Sequence, residues 1–296
     1  MLKLRIITAL VLVPLVVFAT LKLSSEYFTL IFGIIMLAAG WEWTRLIGIE
    51  PILKRSLFLG GMLLIMAFIQ SWTVLLELIL QIFTLDIRPY SGVIELLMVP
   101  PLIWWFLIML LIRNAPVELL QLEVKPKYQY MIGWFVLTAA WMLLSRLRTI
   151  ESPEMTLYFL ILIWVADITA YFVGRKYGKL KLSPEISPGK TVAGFYGALG
   201  GAAICGIAFG VYYEAQVIIF LDMIMLSLIT VLVSIYGDLF FSLVKRRAGI
   251  KDSGGILPGH GGILDRLDSI IAAAPIFYAG IWFIRWMVDS ALVVTQ

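Results

Sequence analysis

Residues 217–236 read VIIFLDMIMLSLITVLVSIY, a run in which Asp222 is the one charged residue. A helix crossing the hydrocarbon core of a bilayer needs about 20 mostly apolar residues, so this run is a membrane span. Runs of the same kind recur at roughly 6–23, 27–47, 56–83, 93–112, 130–147, 155–174, 191–213 and 268–288. The expected fold class is therefore all-α, a polytopic integral membrane protein with about nine transmembrane helices. The run 56–83 exceeds a simple span and is expected to tilt or to break into a span plus a surface helix. With 61% hydrophobic and 14% charged residues, the chain departs from soluble domains, which are about 25% charged. The same richness in apolar and aromatic residues excludes a disordered chain.

Because spans alternate in direction, Lys and Arg should crowd into alternate loops on the cytoplasmic side. Of the 23 basic residues, only Lys22, Arg88, Arg146, Arg148 and Arg285 fall on the side opposite the N-terminus. The rest share its side, which places the N-terminus in the cytoplasm. Lys3 and Arg5 before an apolar run, with Val17-x-Ala19 after it, imitate a signal peptide, but the run fills a bilayer and leads directly into another span. No internal repeat or soluble linker divides the chain. It reads as one membrane domain, with N-terminal membrane helices over 1–150 and C-terminal membrane helices over 151–296 that carry loops 175–190 and 237–267.

Those two loops hold more charge than orientation requires. The stretch from Tyr236 to Ser269 that includes the second contains four acids, Asp238, Asp252, Asp265 and Asp268, beside its basic residues. From Asp252 to Leu264, Gly254, Gly255, Gly259, Gly261 and Gly262 surround Pro258 and the only histidine, His260. A glycine-rich segment can turn several backbone N–H groups toward one anion, as phosphate-binding nests do. If the eighth helix continues past the membrane surface, Asp238, Ser242 and Lys245 share a face at i, i+4 and i+7. Asp265 and Asp268 share a face at the start of the ninth helix, where carboxylates are favoured. Two pairs of oxygen ligands then converge from either side of the glycine-rich loop. With one cysteine, Cys205, and one histidine, disulfide frameworks, cysteine zinc sites and multi-histidine sites are excluded, and hard oxygen ligands suit Mg2+. The alternative is a set of interfacial salt bridges between these acids and Lys or Arg.

The other loop ends in Ser187-Pro188-Gly189-Lys190-Thr191. A P-loop is rejected because position 184 is proline where that pattern needs glycine. Ser187, Lys190 and Thr191 are instead expected at the start of the seventh helix, whose free N–H groups favour an anion. Asp167 and Asp222 lie inside spans, where a carboxylate is costly and usually functional or paired. Asp167 is two turns from the basic loop, whereas Asp222 is close to the opposite interface. Gly174-x3-Gly178 and Gly206-x3-Gly210 read as helix-packing spacings.

The run Ser242-x2-Lys245-Arg246-x4-Lys251-Asp252-x-Gly254-x2-Leu257-Pro258-x-His260-Gly261-Gly262-Ile263-x-Asp265-Arg266-Leu267-Asp268 resembles the signature of the phosphatidate cytidylyltransferase (CDP-diacylglycerol synthase) family, bacterial type. Asp167, Ala170-Tyr171, Gly174-Arg175, Gly178 and Ser187-Pro188-x-Lys190-Thr191 resemble it too, and Trp41-Glu42-Trp43 does so more weakly. Where many relatives carry Trp-Glu-Gly after the Lys-Thr pair, this chain has Val192-Ala193-Gly194. The resemblance implies an enzyme of the cytoplasmic (inner) membrane that transfers the cytidylyl group from CTP to phosphatidic acid, with Mg2+ required, a second cation allowed for, and a homodimer of polytopic subunits. Carried over by motif, Asp238 and Asp265 would hold the metal, supported by Asp268. Lys245, Arg246, Lys251 and Arg266 would offset the triphosphate charge. Asp167, Ser187, Lys190, Thr191, Ser242, Gly261 and Gly262 would bind CTP and its phosphates, while His260 would donate to departing pyrophosphate or order the loop. A polyprenol kinase would share basic loops and carboxylates but leave CDP rather than a cytidylylated lipid. A transporter would place its polar site near the bilayer midplane.

Overall fold

The computed structural model describes residues 2–83, 93–256 and 261–294, so His260 lies outside the described residues. The chain runs α1 (Leu2–Lys22), α2 (Ser25–Leu46), α3 (Ile52–Phe83), a 3-10 turn at Val93–Met98, and α4 (Val99–Asn114). There follow a short α5 (Pro116–Gln121), α6 (Pro126–Arg146) closed by a π-helical turn, and α7 (Pro153–Tyr177). A hairpin of β1 (Lys181–Ser183) and β2 (Ser187–Thr191) leads into α8 (Val192–Tyr212), α9 (Val217–Arg247) and α10 (Leu264–Val294). The protein is an all-α polytopic membrane protein. Eight of its described helices are long and apolar enough to span a bilayer, and Leu10–Lys22 is a shorter apolar helix. Large apolar side chains such as Leu64, Phe172, Ile204 and Ile218 remain exposed on the helix flanks, as expected where lipid replaces water.

Of the two outcomes expected for 56–83 it does not break: α3 is one continuous helix, with its span-like part at Ile52–Trp72. One detail departs from the sequence reading. Ser187–Thr191 is a strand, not the first turn of a helix: it pairs antiparallel with Lys181–Ser183, Lys181 opposite Thr191. Pro188 and Gly189 favour extended or turn backbone over helix, and Thr191 then caps α8, its hydroxyl accepting from Gly194 N at 3.1 Å.

The ends of the other helices follow their sequence. Ser152 caps α7 by accepting from Met155 N, and Pro153 occupies the first helical position. α9 stops at Gly249, whose φ of 68° permits the paired terminal bonds Gly249 N to Arg246 O and Ile250 N to Lys245 O.

α7, α8, α9 and α10 form the tightest group. Small residues at their crossings allow the close approach: a Cβ at Gly206 would lie 2.7 Å from Ile224 Cα, and one at Gly174 would lie 2.8 Å from Thr191 Oγ1. Both spacings therefore serve packing, as their sequence suggested. The N-terminal helices join the same core through Trp43, whose ring stacks on Phe240 and meets Phe241 edge-on. Polar contacts tie each end of the bundle. At one end Arg148 donates to Thr20 O and Leu23 O, Arg146 pairs with Glu95, and Arg285 with Glu151. The other, basic end carries both loops of interest.

Candidate active site

At the basic end α9 continues beyond its apolar section without a break, so Asp238, Ser242 and Lys245 do share one face. Ser242 donates to Asp238 Oδ1 at 3.2 Å. Gly237 lets α10 approach that face, since a Cβ there would collide with Ala272 and lie 3.0 Å from Asp268 O. Asp268, 8% exposed, is thereby brought against α9, and Asp265 stands in the first turn of α10.

The hairpin closes the site from the α7 side. Lys190 extends from β2 to Asp238 Oδ2 at 2.7 Å and also donates to Ile235 O at 3.1 Å. Arg246 Nε reaches Ile186 O at 3.2 Å, joining the two loops. Lys245 pairs with Asp265 Oδ1 at 2.7 Å. The salt bridges weighed as an alternative to a ligand site are thus present, and Lys245, Asp265 and Asp238 of these pairs stand on the walls of a cavity of about 430 Å3. Asp167, Ser187, Asp238, Ser242, Lys245, Arg246, Lys251, Asp265, Arg266 and Asp268 all line it. A second, more apolar cavity of about 480 Å3 lies between α7, α8 and the hairpin, with Tyr171, Arg175, Lys190, Thr191 and Phe195 on its walls. Asp167, Asp238 and Ser269 belong to both. Asp222, near the start of α9, lies at the other end of that helix.

One expectation needs correction. At the two described ends of the glycine-rich loop the backbone donors do not face open space: Ser253 N and Gly262 N both donate to Asp265 Oδ2 at 2.9 Å. Ile263 N and Leu264 N donate to Glu42, at 3.0 and 2.8 Å. The anions that fill this nest are the protein's own carboxylates, so Gly262 has no amide to offer a phosphate, while Gly261 supplies a turn with φ of 84°. The Thr191 hydroxyl accepts from Gly194 N in capping α8 and keeps its own O–H beside the second cavity. Glu42, which lies within α2, had not been counted among the site residues.

The donors gathered around the first cavity are carboxylate and hydroxyl oxygens, a set suited to a hard cation. Among the described residues no three acids converge closely enough to hold an ion unaided. Mg2+ commonly takes one or two carboxylates and completes its shell with water and phosphate oxygens, so Asp238 and Asp265 are of the donor type that could hold it. Positive side chains beside such carboxylates, at the junction of a polar and a more apolar chamber, can hold a polyphosphate against an amphiphile.

Comparison with known proteins bears on this geometry. The model of the cytidylyltransferase family matches residues 3–284. The chain is 36% identical over 287 residues to the phosphatidate cytidylyltransferase of Pseudomonas aeruginosa, covering 97% of this chain and 99% of that protein. It is 34% identical over 292 residues to the phosphatidate cytidylyltransferase of Haemophilus influenzae, covering 94% and 97%. With the Bacillus subtilis protein of the same name it shares 43% identity over 137 residues, 45% of this chain and 49% of that protein.

Proposed function

The chain belongs to the cytidylyltransferase family, and from that premise we propose that its activity resides in the paired cavities at the basic end. It is a CTP-dependent nucleotidyltransferase that transfers the cytidylyl group from CTP to phosphatidic acid, forming CDP-diacylglycerol and pyrophosphate for phospholipid biosynthesis. The observation carrying the site assignment is that Asp167 and Asp238 line both chambers. The polar chamber receives the triphosphate, and the more apolar one receives the phosphate of phosphatidic acid, entering sideways from the inner leaflet.

In the reaction a phosphate oxygen of phosphatidic acid bonds to the α-phosphorus of CTP. The bond from that phosphorus to the bridging oxygen breaks, and its electron pair leaves with pyrophosphate. The nucleophile is already an anion, so alignment and charge neutralisation carry most of the catalysis. Lys245, Arg246, Lys251 and Arg266 oppose the triphosphate charge. Lys190, which lines the lipid chamber and pairs with Asp238 on the wall common to both, steadies the phosphates where they meet. Asp238 and Asp265, supported by Asp268, would hold Mg2+, which would supply neutralisation of the phosphate oxygens and so favour the departure of pyrophosphate. The positive charge at this end supports its placement in the cytoplasm, on the inner membrane. Action as a homodimer belongs to the same proposal and rests on the family resemblance.

Two forms of labelled CTP test the reaction. Purified full-length protein with Mg2+ and phosphatidic acid is expected to move an α-phosphate label into the lipid phase and leave a γ-phosphate label in aqueous pyrophosphate. Appearance of the γ-label in the lipid would reveal a kinase and contradict this reading.

A further inference from the structure

Glu42 is 3% exposed, within a helix of membrane-spanning length. A carboxylate so placed is costly unless donors surround it. Its donors come from the far end of the chain: Ser253 Oγ at 2.8 Å, Ile263 N at 3.0 Å and Leu264 N at 2.8 Å. Ile263 and Leu264 sit at the N-terminus of α10, where backbone N–H groups have no acceptor within the helix and a negative charge is favoured. Glu42 thus caps a helix to which it is not adjacent in sequence.

The same stretch of loop supplies the donors of Asp265. Ser253 gives its hydroxyl to Glu42 and its N–H to Asp265; Gly262 donates to Asp265 and the next residue, Ile263, to Glu42. Two carboxylates therefore grip the same two points of the loop, one from each side. Room for this grip depends on glycine, because a Cβ on Gly254 or on Gly262 would collide with the Glu42 carboxylate. The grip has a firm base: Trp43, the next residue, packs on Phe240 and Phe241 and donates to Gln129 O at 3.1 Å.

We propose that Glu42 is a positioning residue that pins both ends of the glycine-rich loop and thereby holds the Asp265 carboxylate in its working orientation. This rests on the reading of Asp265 as a catalytic-site residue. Residues that orient a metal-binding side chain typically contribute about 10–100-fold in metal affinity or activity.

The test uses the full-length protein in lipid nanodiscs. Glu42→Gln keeps the size but sets an NH2 group against N–H donors. Turnover should fall about 10–100-fold and half-saturating Mg2+ should rise, while KM for phosphatidic acid stays within about twofold. Hydrogen exchange at Ser253 and Ile263–Leu264 should quicken about tenfold, with α9 unchanged. Gly254→Ala, which crowds the carboxylate without removing it, should reproduce the shift in Mg2+ dependence if the first variant fails to fold. Wild-type turnover and exchange in Glu42→Gln would overturn the proposal, as would a loss of turnover with Mg2+ dependence unmoved. Asp265→Asn, assayed in parallel, separates the two readings: if it is inactive while Glu42→Gln behaves as wild type, only the positioning role fails. An active Asp265→Asn overturns the site and the positioning role together.

Discussion

Asp265→Ala is expected to reduce turnover about 10³-fold or more, the scale seen when a group that stabilises transition-state charge is removed. The side chain joins three parts of the site: Lys245 on α9, Ser253 at the start of the loop and Gly262 at its end. Removing it deletes the oxygen donor proposed for the metal, frees two backbone donors, and leaves Lys245 without its ion-pair partner. Breaking a buried ion pair from one side costs about 3–5 kcal/mol. Thermal melting must therefore accompany the assay, and Asp265→Asn, which preserves volume, serves as the gentler companion. A folded Asp265→Ala protein that retains about a tenth of wild-type turnover would contradict the assignment of this carboxylate.

Asp238→Asn should bring a comparable loss for a different reason. Its carboxylate lines both chambers and is held from two directions, by Lys190 from the hairpin and Ser242 from one turn along α9. The amide keeps the shape but surrenders the charge that balances Lys190 and would face a cation. Initial rates measured against Mg2+ and against CTP should show turnover reduced about 10³-fold, with more Mg2+ needed for the activity that remains. Unchanged Mg2+ dependence in a folded variant would remove Asp238 from the metal site.

The membrane fold was readable because a bilayer dictates the length and polarity of each span. The run from Val217 announces α9, and continuing its helical spacing past Tyr236 correctly aligns Asp238, Ser242 and Lys245. The hairpin was not readable. Strands over Lys181–Ser183 and Ser187–Thr191 are too short and too polar to show an alternating pattern, and Lys190-Thr191 just before an apolar run imitates a helix start. The glycine-rich loop was expected to turn its amides toward a phosphate, but composition does not distinguish a phosphate from a carboxylate supplied by a distant helix. The signal for Glu42 was available: the rule that drew attention to Asp167 and Asp222, an acid within a span, applied equally to it. Its partners lie more than two hundred residues away, and only the folded chain brings them together.

The most direct measurement is a structure of the full-length protein bound to a non-reactive CTP analogue and Mn2+, with the cation located by its anomalous scattering. The site proposed here predicts Mn2+ between Asp238 and Asp265, with the triphosphate in the chamber lined by Lys245 and Lys251. Nucleotide or cation bound elsewhere, for example in the cavity at the opposite end lined by Ser145 and Arg146, would contradict it.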